Sequence, residues 1–372
     1  MRVSQMFRPD PVLYQHALGE APDWVGAVAE SVGATRLIEQ GFRARIDDER
    51  IADSEAGVAL VASDRVLHWL DDAAIDRALD AAFRVASFGV FRIATRYSAG
   101  PLVGGRNEFA SVHDAEWWRQ RIAAVFGHAE TIENTPREYC VIVTAPVDAA
   151  LAAKVADLQR CAKRRATWAR RRQRLAGRLW RLVRGTVSER RLLRELAGKH
   201  VALVGNAVSL AERDYGPAID AADVVVRCNR GILVAEYSHG SRTDWVVTGL
   251  PISRATAESR GIQRMVWVSR RAKMMRNIPA WMFASGRLHM FSKARDVHLA
   301  RELGKIASTG MKAIDLLAAS NCARLDIYGF DFGASHSASQ PTRPMSPDHD
   351  FDAERRRALS LIEADARLHW HP

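Results

Sequence analysis

No stretch of this chain approaches the roughly 20 consecutive apolar residues that cross a bilayer, and the opening "MRVSQMFRPDPVLY" lacks the apolar core of a signal peptide. Those two absences point to a cytoplasmic protein. Cysteine is scarce: Cys140, Cys161, Cys228 and Cys322 stand apart, with no CxxC pair. That excludes a disulfide framework and a zinc knuckle, and it suits a reducing compartment. Repeats and low-complexity tracts are also missing outside one arginine-rich segment, so solenoid and disordered classes fall away. Acidic residues are outnumbered, 43 against 54 Lys and Arg, which leaves a formal charge of +11.

What is present is enough for a globular protein: 372 residues, 48% hydrophobic, a length that predicts two domains. The charge is concentrated. Residues 160 to 199 hold fifteen Lys or Arg against two Glu, so the remainder is nearly neutral. The partner of the basic segment therefore need not be the partner of an active site.

Residues 1–150 alternate strand-like runs ("GVALVAS", "GVFRIATR", "EYCVIVTAP") with helix-like ones ("DDAAIDRALDAAFRVA", "DAEWWRQRIAAVFG"), a βαβα pattern with a mainly parallel sheet. Residues 151–198 form a basic helical linker, with one helical pattern over Asp157–Leu196. It reads either as a basic amphipathic helix on anionic lipid headgroups or as a solvated spacer. Aromatic interleaving is limited to Trp168 and Trp180, so nucleic acid is not the expected partner. Residues 199–372 form a second α/β series through "HVALVGN", "ADVVVRCN", "RTDWVVTG", "RMVWVS" and "RLDIYGF", closed by a helix from about Asp352 to Leu368.

The stretch "VASDRVLHWLDDAAIDRALDAAFRVASFGVFRIATR", with "HDAEWWRQRIAAVFG" after it, resembles the second half of class I S-adenosylmethionine-dependent methyltransferases over residues 30 to 145. Such enzymes hold the cofactor with a glycine-rich turn after the first strand and an acid after the second. Here "DWVGAVAESVGATRLIEQGFRARID" offers no such turn, and "GPLVGG" follows a late strand. The domain reads as a truncated, cofactor-free relative used for packing, dimerisation or acceptor binding.

In the second domain, Gly205-Asn206 ends a strand, where a plain tight turn is the bland explanation. The functional one is that strand ends of a parallel sheet open onto a ligand crevice, where Asn206 and Asn229 offer amide groups to a nucleotide. Ser308, Thr309 and Gly310 open a helix. A simple N-cap and a phosphate cradle share that geometry.

"VALVGN…DYGPAIDAADVVVRCN", then "STGM…NCARLDIYGF", then "HDFDAE", closely resemble in order and spacing the large, small and very small sialylmotifs of glycosyltransferase family 29, the eukaryotic-type sialyltransferases, across residues 199–368. The resemblance implies a sialyltransferase-like modified GT-A fold, so that the chain is α/β with two Rossmann-like domains joined by a basic helix. It implies a CMP-activated acidic sugar as donor, a glycan or glycolipid acceptor, inversion at the anomeric carbon, no metal and no cofactor. Carried over by motif position, Gly205, Asn206 and Asn229 contact the CMP, Ser308, Thr309 and Gly310 cradle the nucleotide or the donor carboxylate, and His349 is the general base. Two positions depart from the pattern. Val201 stands where the family has the cysteine that pairs with the Cys322 position, and of the short His/Tyr motif only His336 remains as a candidate to assist phosphate departure.

The chemistry asks for a base for the acceptor hydroxyl and a cradle for phosphate charge. In "HDFDAE" an acidic first helical turn with Asp350 as N-cap explains the acids but not His349. Helical spacing places Glu354 about 140° from position 349, which predicts a structural role for Glu354. A rival takes Asp350-Phe351-Asp352 as a metal-binding DxD for a nucleotide-diphosphate sugar. A third is a non-catalytic nucleotide-sugar binder or scaffold. The leading expectation is a cytoplasmic bacterial enzyme, peripheral to the inner membrane through residues 160–199. It would move sialic acid or a related ulosonic acid such as Kdo from its CMP form to a surface-glycan hydroxyl in lipopolysaccharide or capsule synthesis.

Overall fold

The computed structural model describes residues 12–16, 23–41, 58–135, 138–184, 186–339, 341 and 346–372. The signal-peptide reading of the first residues rests mainly on residues 1–11, and the end of the stretch scanned for a cofactor turn falls on residues 42–47. Both lie outside the described residues. The chain divides into two compact units, Met1–Tyr97 with Glu108–Ala166, and Ser98–Asn107 with Thr167–Pro372. Helices of nine or more residues are labelled below, and shorter ones are given by range.

The first unit holds a six-stranded sheet of β1 (Val12–His16), β2 (Arg36–Gly41), β3 (Ala59–Asp64), β4 (Phe88–Ala94), β5 (Glu130–Thr135) and β6 (Tyr139–Val143), ordered β1-β2-β3-β4-β6-β5. Its centre, β2-β3-β4, is parallel, while β1-β2, β4-β6 and β5-β6 are antiparallel. The expectation of a mainly parallel sheet therefore holds only at the centre. Too few residues separate β5 from β6 for a parallel crossover, so the pair can only be antiparallel, and polar "ETIENT" gave no strand signal.

Three helices cover this sheet: α1 (Asp23–Ser31), α2 (Asp72–Val85) and α3 (Ala115–Phe126). Asp71 caps α2 by accepting from the Ala74 amide at 2.8 Å, and Asp114 caps α3 from Trp117 at 2.8 Å. The apolar stripe Ala74, Ile75, Ala78, Leu79, Ala82 then faces the sheet at helical spacing and is buried. Each fully buried Leu or Ile there contributes about 1.5–3 kcal/mol.

A 36-residue helix, α4 (Ala149–Arg184), runs from the first unit into the second. It starts earlier than its arginine pattern suggests, where the Asp148 carboxylate accepts from the Leu151 amide at 2.7 Å, and it ends before Glu189–Arg194 begins a separate short helix.

The second unit holds seven strands: β7 (His200–Val204), β8 (Val224–Cys228), β9 (Trp245–Thr248), β10 (Arg264–Trp267), β11 (Leu288–Met290), β12 (Arg324–Tyr328) and β13 (Leu368–His371). Their order is β11-β10-β9-β8-β7-β12-β13 and every pairing among the described residues is parallel. Both faces are covered, so strands such as Val201–Val204 are buried throughout. On one face lie α5 (Lys293–Leu303), α6 (Thr309–Ala318) and α7 (Phe351–Ala364), which supply Leu299, Met311, Ile314 and Ala358 to the largest core. The last helix is shorter than expected, because residues 368–371 leave it to pair with β12 as β13.

"GPLVGG" proves to belong with the second unit. Gly105 accepts from the Glu236 amide at 2.8 Å, and the Asn107 side chain donates to Leu233 at 2.6 Å. The buried thiols of Cys140 and Cys228 are both pushed up to about 12 by burial, which makes them poor nucleophiles.

Candidate active site

Strands β8 to β11 extend from one side of β7, while β12 and β13 lie on its other side. Chain order therefore reverses between β7 and β12. In a parallel sheet the carboxyl ends of two such strands splay apart and leave a crevice, the usual ligand position. A cavity of about 440 Å³ opens there. Its wall includes Ser209 and Leu210 after β7, Gly329, Phe330 and Asp331 after β12, Ser335 farther along the same loop, Arg355 from α7 and Trp370 from β13.

Two glycines outside the cavity seat Phe330 of its wall. A Cβ on Gly205 would lie 2.2 Å from the Gly329 carbonyl oxygen and 2.9 Å from the Phe330 ring, so the two turns approach only with glycine at 205. Backbone pairing continues past the strand ends, from the Gly205 amide to Tyr328 at 2.8 Å and from Ala207 to Gly329 at 3.2 Å. A Cβ on Gly310 would meet the other side of Phe330, at 2.7 Å from its Cε1 atom. Phe330 thus bridges the turn at Gly205 and the start of α6.

Asn206 donates its Nδ2 to the Cys228 carbonyl at 3.0 Å, and its buried Oδ1 has no partner. Asn229, at the end of β8, holds a left-handed φ of 55°, a conformation its short amide side chain tolerates. Asp331 organises the facing loop: it accepts from the Ser335 amide at 2.9 Å and from the Ser209 hydroxyl at 3.3 Å. On this loop the His336 ring is exposed, and its Nδ1 lies 3.0 Å from the Pro341 carbonyl. A carbonyl only accepts, so Nδ1 is the donor of this contact and Nε2 is the nitrogen left for a ligand. No described residue pairs with Arg213 or Arg355, the two exposed cations of the cavity wall.

At α6, Ser308 caps the helix by accepting from the Met311 amide at 3.1 Å. Its hydroxyl and its own amide are both engaged by Glu354, at 2.6 Å to each carboxylate oxygen. The Ser308 hydroxyl is therefore spent on holding the helix start. The amides of Thr309 and Gly310, in the first turn, have no intrahelical acceptor by helix geometry.

Glu354 is 98% shielded, and burial pushes its carboxyl up, against the Ser308 donors and nearby Lys312. Glu354 thus has a structural part, bracing the start of α6, and this does not depend on its angle to His349. His349 precedes the N-cap Asp350, so the 100° helical step does not relate the two positions. Asp350 accepts from the Ala353 amide at 2.9 Å, which commits the first carboxylate of the DxD reading to capping.

The His349 Nδ1 donates to the Ile306 carbonyl at 2.7 Å, two residues before Ser308. Nε2 is left as the proton-accepting nitrogen of the neutral ring. The ring packs edge-on against Phe351, 5.7 Å between centroids, and Phe351 in turn packs on Gly333 of the cavity-wall loop, where an added Cβ would sit 3.0 Å away. Arg271, after β10, ties the same segment through Asp348 at 2.6 Å. His349 and Ser308 are thus neighbours beside the cavity rather than partners facing each other across it.

Phe330, Asp331, Ser335, Arg355 and Trp370 were missed in the sequence because they converge only through tertiary structure. The "YGF" after β12 was the one local signal for Phe330.

Residues 170–285 match the profile of glycosyltransferase family 29 (sialyltransferase). The match takes in Gly205, Asn206 and Asn229 and stops before Ser308 and His349. The second unit therefore contains a segment that resembles family 29, and the match leaves the rest of the chain uncovered. Among solved structures, a mammalian sialyltransferase is 20% identical over 50% of this chain and 74% of that one, with a TM-score of 0.38. A mammalian sialyltransferase in complex with Gal-beta-1-3GalNAc-ortho-nitrophenol gives 19% identity, the same two shares and a TM-score of 0.36. A T. thermophilus 16S rRNA methyltransferase in complex with AdoMet and guanosine is 12% identical over 68% of this chain and 71% of that one, at a TM-score of 0.18. No curated protein sequence matches the chain.

Proposed function

We propose that the protein transfers sialic acid or a related ulosonic acid such as Kdo from its CMP form to a glycan hydroxyl, with inversion and without a metal. The observation that carries this reading is the cavity at the β7/β12 switch point, whose wall residues Gly329 and Phe330 pack against the family-matched Gly205 and which is edged by two unpaired arginines. A CMP-sugar is an anion with a phosphodiester and a carboxylate, and guanidinium groups bind such oxyanions by charge-assisted hydrogen bonds. Asn206 and Asn229 address the nucleotide, and the first amides of α6 at Thr309 and Gly310 carry the partial positive charge that favours an anion.

His349 acts as general base. Its Nδ1 proton is held by Ile306, so Nε2 takes the proton of the acceptor hydroxyl as that oxygen attacks the anomeric carbon. The CMP phosphate leaves from the opposite face, and His336 on the cavity-wall loop assists it. Ser308 and Glu354 position the helix start rather than touch the donor.

The acceptor belongs to surface-glycan synthesis, in lipopolysaccharide or capsule, and the basic segment 160–199 keeps the enzyme at the cytoplasmic face of the inner membrane where lipid-linked acceptors are made. The test is incubation of the purified chain with CMP-Neu5Ac and with CMP-Kdo, following release of CMP. His349→Ala should abolish release while keeping CMP affinity. A chain that binds CMP yet releases none from either donor, with or without acceptor, is the non-catalytic binder instead.

A further inference from the structure

Helix α4 carries an apolar stripe on the wrong side for packing. At Gly177 its inner face approaches the body of the second unit, where an added Cβ would sit 3.8 Å from the Ala280 backbone and from the Phe283 ring. At 100° per residue, Trp168, Leu175 and Leu179 fall within about 40° of one another, and directly opposite Gly177. They are 65%, 63% and 65% exposed. Three large apolar side chains aligned in solvent exceed the scattered apolar surface of ordinary soluble proteins. Arg164 and Arg171 flank the stripe on one side and Arg172 on the other, each about 40–60° away by the same geometry. Arg172 also stacks over Trp168, with its guanidinium carbon 5.6 Å from the ring centroid.

We infer that this outward face of α4 is an interfacial membrane-binding surface, with Trp168, Leu175 and Leu179 entering the acyl boundary of an anionic bilayer and the arginines at its headgroups. Charge complementarity selects this occupant. A second copy of the chain would bring together two segments that each hold fifteen Lys or Arg against two Glu, and that repulsion opposes self-association. A phosphate backbone would satisfy the arginines and leave the leucines in water. An anionic lipid surface satisfies both, as interfacial helices do. The helix would then lie along the membrane with Gly177 and the body of the second unit above it. The inference stands apart from the donor-site reading, since vesicle binding without sugar transfer would keep the one and remove the other.

The experiment is sedimentation of the full chain with phosphatidylcholine vesicles, with and without phosphatidylglycerol. The chain should bind the anionic vesicles and release at high salt. Each apolar side chain withdrawn from water is worth a factor of about ten or more, so W168A/L175A/L179A should weaken binding at least about a hundredfold while its thermal unfolding is unchanged. R171Q/R172Q should weaken it about fivefold per charge. Vesicle binding by the triple variant equal to that of the parent would overturn the assignment of this face, and so would a parent chain that ignores both vesicles. A parent dimer that the triple variant dissociates, with no vesicle binding, would assign the face to a second copy.

Discussion

The two sheets of this protein differ in how charge is met at their strand ends. At the carboxyl edge of the first sheet, Asp64 after β3 takes both ends of the Arg92 guanidinium, at 2.6 and 2.7 Å, and Arg96 pairs with Glu138 at 3.0 Å. His68 is buried there with its Nδ1 accepting from the Ala94 amide at 3.2 Å, and burial lowers it to about 3, so it stays neutral. Charge in the first sheet is answered within the sheet. At the same edge of the second sheet, Arg213 and Arg355 stand without a protein partner on a cavity wall. Exposed arginines without a protein partner stay solvated and are free to meet an anionic ligand, which is why donor binding is proposed for the second unit.

Substitutions made in matched pairs, one in each unit, break or sharpen this contrast. The largest effect belongs to the histidines. His349→Ala should lower turnover about 10²- to 10⁴-fold, the usual contribution of a general base, with CMP affinity unchanged in calorimetry. His68→Ala should lower the melting temperature through a lost hydrogen bond and packing, and leave the turnover of the folded fraction intact. If both variants lose turnover alike, the division of labour fails.

Next come the glycines. Gly205→Ala forces a methyl against the Gly329 carbonyl at 2.2 Å, and should cost about 3 kcal/mol or more in denaturant unfolding because backbone cannot step aside cheaply. Gly26, in α1, has nothing within 4 Å of its missing Cβ. Gly26→Ala should be neutral or stabilising by up to about 1 kcal/mol.

The arginines follow. Arg355→Gln, or Arg213→Gln, should raise the donor KM about tenfold by loss of one charge-assisted contact, and the loss should shrink at high salt. Arg92→Gln should leave KM alone and cost no more than about 1 kcal/mol, since its pair with Asp64 is partly exposed.

The smallest effect is in pH. Burial holds the Glu354 carboxyl above its ordinary value of 4.5, so the folded form keeps this proton after the unfolded chain has lost its own. Stability from this residue is therefore fully present below about 4.5 and declines as pH rises through the folded value. Glu354→Gln should flatten that slope in melting temperature against pH.

Much of this architecture was readable from the chain. Five strands of the second sheet announced themselves because both faces are buried and each is a run of Val, Leu or Ile. β11 and β13 did not, being three and four residues long at the two edges. β5 hid in "ETIENT", where burial is partial and the apolar alternation weak. Motif order led to Gly205, Asn206, Ser308 and His349, none of which lines the cavity itself. The 140° angle assigned to Glu354 does not apply, because His349 lies one residue outside the cap, although a structural role for Glu354 agrees with its bonds to Ser308. Arg355 and Trp370 had no local signal at all, since their roles exist only when α7 and β13 close on the loop after β12.

The central claim is that the space between the ends of β7 and β12 receives the donor nucleotide. Ala334 sits exposed on the wall of that space, so Ala334→Trp fills it without touching the core. Calorimetric titration of CMP into the parent, His349→Ala and Ala334→Trp tests the claim most directly. Binding by the first two and none by a folded Ala334→Trp is the predicted result, and equal affinity in all three would contradict it.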